Sequence, residues 1–173
     1  MTIARRFDTK PALDQRDPAT PIQIVGRYLE DIPVDLDAMA DDLGLEVRYV
    51  DNLSDDVSGK IERTRGGYRV TVNASHPRRR QRFTLAHEIA HFIMHRDLIG
   101  DGIVDNAMYR SAGLSDEIER QANRYAADIL MPAAAVRRLY RQNVKSFAAM
   151  ANAFDVSAEA AQVRMKDLRV GRA

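Results

Sequence analysis

The chain contains no cysteine among its 173 residues, and it has no long apolar run. Without cysteine there can be no disulfide bond and no thiolate ligand for a metal ion. No stretch of 18 apolar residues could span a bilayer, and the first thirty residues contain no apolar core of a signal peptide. We therefore expect a cytoplasmic protein that makes no contact with a membrane.

What the chain does contain is an HExxH motif within the apolar segment Phe83–His95. On an α-helix His87 and His91 lie one turn apart on the same face, so both imidazoles can bind one metal ion. Glu88 lies about 100° further round the helix and can act as the general base, taking a proton from water and passing it to a leaving amine. The alternative is an amphipathic helix with two surface histidines, which the apolar neighbours disfavour.

A second amphipathic helix is predicted between Ser115, its N-cap, and Pro132, because apolar residues recur there at helical spacing. Glu119 and Asn123 are four residues apart and share a face of this helix. A catalytic zinc site usually has three protein ligands and one open position, and Glu119 is the best candidate for the third ligand. Asn123 is then placed to hydrogen-bond the free ring nitrogen of a ligating histidine. The alternative is that Glu119 is an ordinary exposed residue.

The other two histidines are not expected to bind the metal. His95 lies one turn beyond His91, but three ligands on one straight helix would spread over about 12 Å, which one ion cannot bridge. We expect His95 to hydrogen-bond nearby backbone or to cap the helix. We expect His76, which precedes Pro77, to lie in a loop.

Two motif segments resemble the ImmA/IrrE family of small bacterial metallopeptidases: RQRFTLAHEIAHFIMH (Arg80–His95) and EIERQANRYAADILMP (Glu117–Pro132). The upstream segments VDLDAMADDLGLEVRYV and VSGKIERTRGGYRVTVNAS are similar to that family as well. The resemblance implies a gluzincin-like site, whose third ligand is a glutamate on a second helix. We expect Zn²⁺ as the cofactor, with Mn²⁺ as the alternative, since two histidines and a carboxylate suit several divalent ions.

The resemblance also implies a partner and a function. It implies a site-specific endopeptidase that cleaves a helix-turn-helix repressor, commonly encoded beside the peptidase, and thereby relieves repression. The competing hypothesis is a binding protein: a regulator that sequesters its repressor without cleaving it, or one component of a toxin–antitoxin pair bound to its antitoxin. Replacing Glu88 by Gln separates the two, because only cleavage needs the general base.

The remaining pattern predicts an α+β fold, in which a small antiparallel or mixed sheet covers the HExxH helix. Helices are expected at Ile22–Glu30 and Leu36–Leu43, the second with Asp35 as its N-cap and Gly44 as its C-terminal stop. Strands are expected at Leu45–Val50, Lys60–Glu62 and Tyr68–Val72. The last two strands form a hairpin with a longer, glycine-containing loop. We expect the Tyr68–Val72 hairpin region to supply the sheet edge that pairs with an extended substrate, and the sequence leaves open which strand of the hairpin is outermost.

Three parts of the chain are expected: a flexible arm at 1–20, a metallopeptidase domain at 21–132, and a helical, helix-turn-helix-like extension at 133–173. The extension carries eight basic and three acidic residues, which invites a DNA-binding interpretation. Its second helix nevertheless offers a mixed set of side chains rather than a base-reading face. We expect it to pack on the catalytic domain or a partner, and we do not expect direct binding to nucleic acid.

Two further segments are expected to border the site. Residues 96–113 are a candidate loop over the cleft, in which Tyr109 is the candidate for stabilising the developing oxyanion, with simple packing as the alternative. The basic run His76–Arg82 could indicate contact with a nucleic acid, but it is short and lacks aromatic residues. It is interpreted as the loop that enters the HExxH helix and contacts an acidic segment of the substrate.

Overall fold

The computed structural model describes residues 19–99, 104–105 and 116–171. Within these ranges the chain has the predicted α+β architecture. The helices are α1 (Pro21–Tyr28), α2 (Leu36–Asp42), α3 (Arg78–Met94), α4 (Asp116–Leu130), α5 (Ala133–Arg141), α6 (Phe147–Phe154) and α7 (Ala158–Asp167). The strands are β1 (Leu45–Val50), β2 (Gly59–Thr64), β3 (Gly67–Asn73) and β4 (Val104–Asp105). A short 3₁₀ turn, Arg96–Leu98, follows α3.

Local capping chemistry defines the two N-terminal helices, each of which ends one or two residues earlier than predicted. Thr20 and Gln23 form a capping box at the start of α1. The Asp35 carboxylate accepts a hydrogen bond of 3.0 Å from the Ala38 amide and is the predicted N-cap of α2. Gly44 follows with a φ of 73°, the left-handed conformation expected of a helix-ending glycine.

The four strands form one mixed sheet in the order β1-β3-β2-β4. β1 runs parallel to β3, whereas β2 is antiparallel to both β3 and β4. In the hairpin Thr64 pairs with Gly67, which leaves a loop of Arg65 and Gly66 alone. The prediction of a longer loop is therefore wrong, since glycine at the second loop position permits a tight two-residue turn.

Within the hairpin region that we expected to supply the sheet edge, β3 is the interior strand. β3 lies between β1 and β2, and its residues Val70–Asn73 are all buried, as is typical of a strand covered on both faces. The outer side of the hairpin belongs to β2. That strand pairs with β4 through Lys60 and Ile61.

The helix that carries HExxH begins five residues before the predicted Phe83, at Arg78. The basic run that we expected to be a loop is therefore helical. The carbonyl oxygen of Pro77 accepts hydrogen bonds from the amides of Arg80 and Gln81, and arginine and glutamine are favourable helix residues. Proline is tolerated at this position because it precedes the first turn.

α3 packs between the sheet and α4 and is the centre of the core. All nine residues of Thr84–Phe92 are buried, which is typical of a helix enclosed on every side. Ala86 and Ala90 of α3 and Ala122 and Ala126 of α4 are fully buried. Such small side chains allow two helix axes to approach closely.

The C-terminal helices pack onto α3 and α4. α6 and α7 form the predicted pair, and Ser157 caps α7 by accepting a hydrogen bond from the Ala160 amide. Asp155, in the turn between them, accepts hydrogen bonds from Arg78 and Arg79 at the start of α3. The first turn of α3 is thereby fixed by residues more than 70 positions away in the chain.

A second anchor lies on α7 itself. Arg164 is buried, donates a hydrogen bond of 3.0 Å to the carbonyl oxygen of Met131, and forms an ion pair with Asp128 of α4. The guanidinium of Arg164, on the second helix of the helix-turn-helix-like pair, is thus used inside the protein. Across the described ranges, no helix has both the length and the apolar character needed to cross a membrane.

Candidate metal centre

Side chains of α3 and α4 converge at one point between the two helices. The Nε2 atoms of His87 and His91 lie 2.9 Å apart. The Glu119 carboxylate of α4 faces both, with oxygen–nitrogen distances of 3.3 Å to His87 and 3.4 Å to His91. One potential ligand atom from each residue lies within 4.8 Å of the other two.

This donor set fits a small divalent cation. Two ligands bound at about 2.0–2.1 Å to a tetrahedral ion lie about 3.3–3.4 Å apart, which matches the separations of Glu119 from the two histidines. Two imidazoles and a carboxylate, with no thiolate, are suitable ligands for Zn²⁺ and for other divalent ions of the first transition row. The predicted ligands are thus brought together, and the spacing that they adopt is one that an ion can bridge.

The electrostatics of the three side chains keep the carboxylate ionised. Burial raises the pKa of Glu119, but hydrogen bonds to His87 and His91 outweigh it and lower that pKa to about 2. Burial lowers the pKa of His87, yet its hydrogen bond to Glu119 and the charges of Glu88 and Glu119 give a net increase. For His91 burial dominates, and its pKa is lowered. The centre therefore attracts positive charge while disfavouring a proton on His91.

Glu88, the predicted general base, is fully buried beside these ligands. Its negative charge is one of the causes that raise the pKa of His87, which shows that the two groups interact. A carboxylate in this position can exchange a proton with a water molecule at the centre.

A cleft of about 280 Å³ opens onto the centre. It is lined by Ser58, Arg80, Phe83, Thr84, His87, Glu119 and Asn123. Glycine at position 59 lets β2 approach α3 here, because a Cβ would lie 2.7 Å from the carbonyl oxygen of Thr71 and closer still to the methyl group of Thr84. The neighbouring Ser58 is held by its backbone, whose carbonyl oxygen accepts a hydrogen bond of 2.8 Å from the Asn73 amide.

Asn123 lines the cleft, and its side chain is one of the groups that raise the pKa of His87. His87 Nδ1 has no hydrogen-bond partner among the described residues. Asn123 therefore lies next to the predicted histidine, while its role in orienting that ring stays a prediction.

The sequence did not predict the hydrogen-bond partners of the other histidine of the centre, His91. His91 Nδ1 is 3.2 Å from His95 Nδ1, and His95 Nε2 is 3.2 Å from Oε1 of Gln121 on α4. The Gln121 amide then donates a hydrogen bond of 3.0 Å to Glu117. His95 is the C-cap of α3, which confirms one of its predicted roles. Its side chain also connects α3 to α4.

One arrangement of protons satisfies this whole chain of side chains when a cation occupies Nε2 of His91. The proton of His91 is then on Nδ1 and is donated to His95 Nδ1, so that the proton of His95 is on Nε2 and is donated to Gln121. Gln121 follows Glu119 by two residues, about 200° round α4, so the four-residue spacing that selects Asn123 does not select it. The four-residue spacing of His91 and His95 is the feature of the sequence from which their contact could have been predicted.

Four other predicted features do not contribute to the described centre. Tyr109 and Ser115 lie outside the described residues, as does most of the expected loop at 96–113. His76 lies in the loop before α3, as predicted, and its Nε2 is 3.1 Å from the carbonyl oxygen of Asp55.

A solved structure with a similar fold is a Mycobacterium tuberculosis transcriptional regulator, at 20% sequence identity and a TM-score of 0.55. The match covers 88% of this chain and 42% of that one, so the chain spans less than half of that regulator's length. Among curated proteins, no significant match is found. The family model for the IrrE N-terminal-like domain (Peptidase_M78) matches residues 40–166, and the chain therefore belongs to this family.

Proposed function

We propose that the chain is a zinc-dependent, site-specific endopeptidase that cleaves a helix-turn-helix transcriptional repressor and thereby relieves repression. The observation that carries the proposal is the convergence of His87, His91 and Glu119 at the end of a solvent-accessible cleft, with Glu88 buried beside them. Membership of a peptidase family supports the reaction class. The fold shared with a transcriptional regulator supports a role in transcription.

The chemistry follows from the donor set, which is gluzincin-like. His87 and His91 would hold Zn²⁺ through Nε2, and Glu119 through its carboxylate. When bound, the ion polarises the scissile carbonyl and makes water more acidic. Glu88 takes a proton from the attacking water as the new carbon–oxygen bond forms, and it delivers that proton to the amide nitrogen as the carbon–nitrogen bond breaks. Mn²⁺ suits the same donors and would leave the roles of the side chains unchanged.

The test is a cleavage assay against the helix-turn-helix regulator encoded beside this gene, with Zn²⁺ or Mn²⁺ added. Glu88→Gln should reduce the turnover rate about 10²–10⁴-fold, the usual contribution of a general base, while metal content stays unchanged. Glu159→Gln is the matched control, because Glu159 is an exposed residue of α7.

The outcomes separate the two hypotheses. A metal-dependent cut made by the wild type and by Glu159→Gln, but not by Glu88→Gln, would support the endopeptidase. A stable complex that no variant cleaves would instead favour a regulator that sequesters its partner, or a toxin–antitoxin component. Cleavage that continues at the wild-type rate in Glu88→Gln would contradict the proposed general base.

A further inference from the structure

The arginines at the start of α3 differ in what they bind. Arg78 and Arg79 form ion pairs with Asp155, at 2.9 Å and 3.4 Å. Arg80 is exposed and donates a hydrogen bond of 2.9 Å to the Ser58 hydroxyl, and among the described residues no carboxylate lies within ion-pair distance of it. Arg80 is therefore a cation whose charge is available to a ligand.

Arg80 lies on the face of α3 that carries the metal centre. It precedes His87 by seven residues, which is two turns of helix and about 10 Å along the axis. Phe83 lies between them, one turn before His87, with its ring centroid 6.1 Å from that imidazole. Phe83 is 38% exposed, although it is a large apolar side chain beside a buried core. Exposed apolar surface next to a site commonly marks a contact with a ligand.

Arg80 and Phe83 also border a second cavity, of about 210 Å³, which adjoins the cleft because these two residues line both. Its other lining residues are Arg79, Leu130, Val156, Ser157 and Ala160. Most of that wall is apolar, and the volume is enough for one leucine, methionine or phenylalanine side chain. We call the cleft and this pocket together the Arg80 groove.

Resting on the proposed endopeptidase activity, we propose that the Arg80 groove binds the substrate on one side of the scissile bond and selects an acidic residue next to an apolar one. Arg80 pairs with the acidic side chain, and the pocket behind Phe83 receives the apolar side chain. An extended peptide advances about 3.3 Å per residue, so the 10 Å between Arg80 and His87 corresponds to about three residues. The acidic residue therefore lies two or three positions from the cleaved bond.

The charges of the groove favour a peptide over a nucleic acid. A nucleic acid needs several free cations to neutralise successive phosphates. Here Asp155 already pairs with Arg78 and Arg79, and Arg82 is 3.6 Å from the same carboxylate. A single available guanidinium beside an apolar pocket matches one carboxylate and one apolar side chain.

The test uses fluorescein-labelled decapeptides in which glutamate and leucine are adjacent, together with versions in which the glutamate is glutamine or lysine. Binding is measured by fluorescence anisotropy with the Glu88→Gln protein, and kcat and KM are measured with the wild type. The acidic peptide should bind at least about 10-fold more tightly than the lysine version, the scale expected for a hydrogen bond between charged groups.

Arg80→Gln should abolish that preference, raising KM for the acidic peptide about 10-fold while kcat and zinc content are unchanged. Arg80→Glu should reverse the preference toward the lysine peptide. Arg78→Gln is the matched control and should keep the wild-type preference, because Arg78 lies outside the groove. Ala160→Phe should weaken binding of the leucine peptides by filling the pocket.

The outcomes also separate this inference from the function on which it rests. Arg80-dependent binding of acidic peptides without any cleavage would support the groove and contradict the endopeptidase. Cleavage with no preference among glutamate, glutamine and lysine, or an equal loss in Arg78→Gln and Arg80→Gln, would overturn the groove and leave the endopeptidase standing. Absence of both binding and cleavage would contradict both.

Discussion

The two halves of α3 serve opposite purposes within one continuous helix. Its first six residues, Arg78–Phe83, are mostly exposed and contact partners outside the helix core. Its next nine, Thr84–Phe92, are buried and include the HExxH motif. The buried half is held in place by close packing against α4, whereas the exposed half is held in place by ion pairs. One continuous helix thus carries both the buried HExxH motif and an exposed, charged surface beside it.

The largest expected effect is on packing in the buried half. Ile89→Ala removes a fully buried side chain that lies two residues from each of the two histidines in the sequence. It should lower the free energy of unfolding by about 2–5 kcal/mol. Urea denaturation in the presence of a chelator measures this without a contribution from bound metal. The same experiment on Arg79→Ala, in the exposed half, should show a loss of at most about 1 kcal/mol. Equal losses in the two variants would remove the distinction between the halves.

The next effect concerns the series of hydrogen-bonded side chains that starts at His91. His95→Phe and Gln121→Leu should each weaken zinc binding about 10–100-fold, the usual result of removing the partner that orients a ligand. Competition with a chromogenic chelator measures the affinity. The double variant should be no weaker than the worse single variant, because both changes break one chain. Gln142→Leu, at an exposed glutamine that ends α5, is the control and should bind zinc normally.

The smallest effect concerns the ion pairs of the exposed half. Asp155→Asn keeps a residue that tolerates the left-handed backbone, since Asp155 has a φ of 52°, and it removes the charge. The free energy of unfolding should fall by about 0.5–1 kcal/mol at pH 7 and low salt. Asp167→Asn, at an exposed aspartate at the end of α7, should have no such effect.

The pH dependence of that loss has a definite sign. The hydrogen bond from Arg78, together with the charges of Arg82 and Arg78, lowers the pKa of Asp155 against the opposing effect of burial. A lowered native pKa stabilises the fold at pH values above the ordinary aspartate pKa of about 3.9. The stabilisation is lost as the pH falls through the lowered pKa. The difference between wild type and Asp155→Asn should therefore vanish in acid, and a difference that grows on acidification would contradict the ion pair.

The features that the sequence predicted correctly depend on neighbours a few residues apart. The Asp35 cap, the Gly44 helix end and the common face of His87 and His91 all follow from backbone geometry over one turn. Glu119 is less local, since it lies on a different helix. The prediction that Glu119 is the third ligand rests on the clear apolar period of its helix and on the family resemblance.

The features that the sequence did not predict depend on contacts between distant segments. Local alternation could identify β3 as a strand, but its central place depends on β1 returning beside it in parallel. The basic run looked like a loop because the carboxylate that binds it, Asp155, lies more than 70 residues away. Likewise, His95 and Gln121 meet only after α3 and α4 have packed.

The position of the C-terminal helices has a consequence for how such proteins can diversify. Val156, Ser157 and Ala160 form one wall of the pocket beside Arg80, whereas the residues that converge at the centre all lie on α3 and α4. Under the proposed function, mutations in the terminal helical pair would alter which substrates bind while the residues of the candidate metal centre stay unchanged. Under the same proposal, exchanging this helical pair between related chains would transfer the substrate preference of one chain to the other.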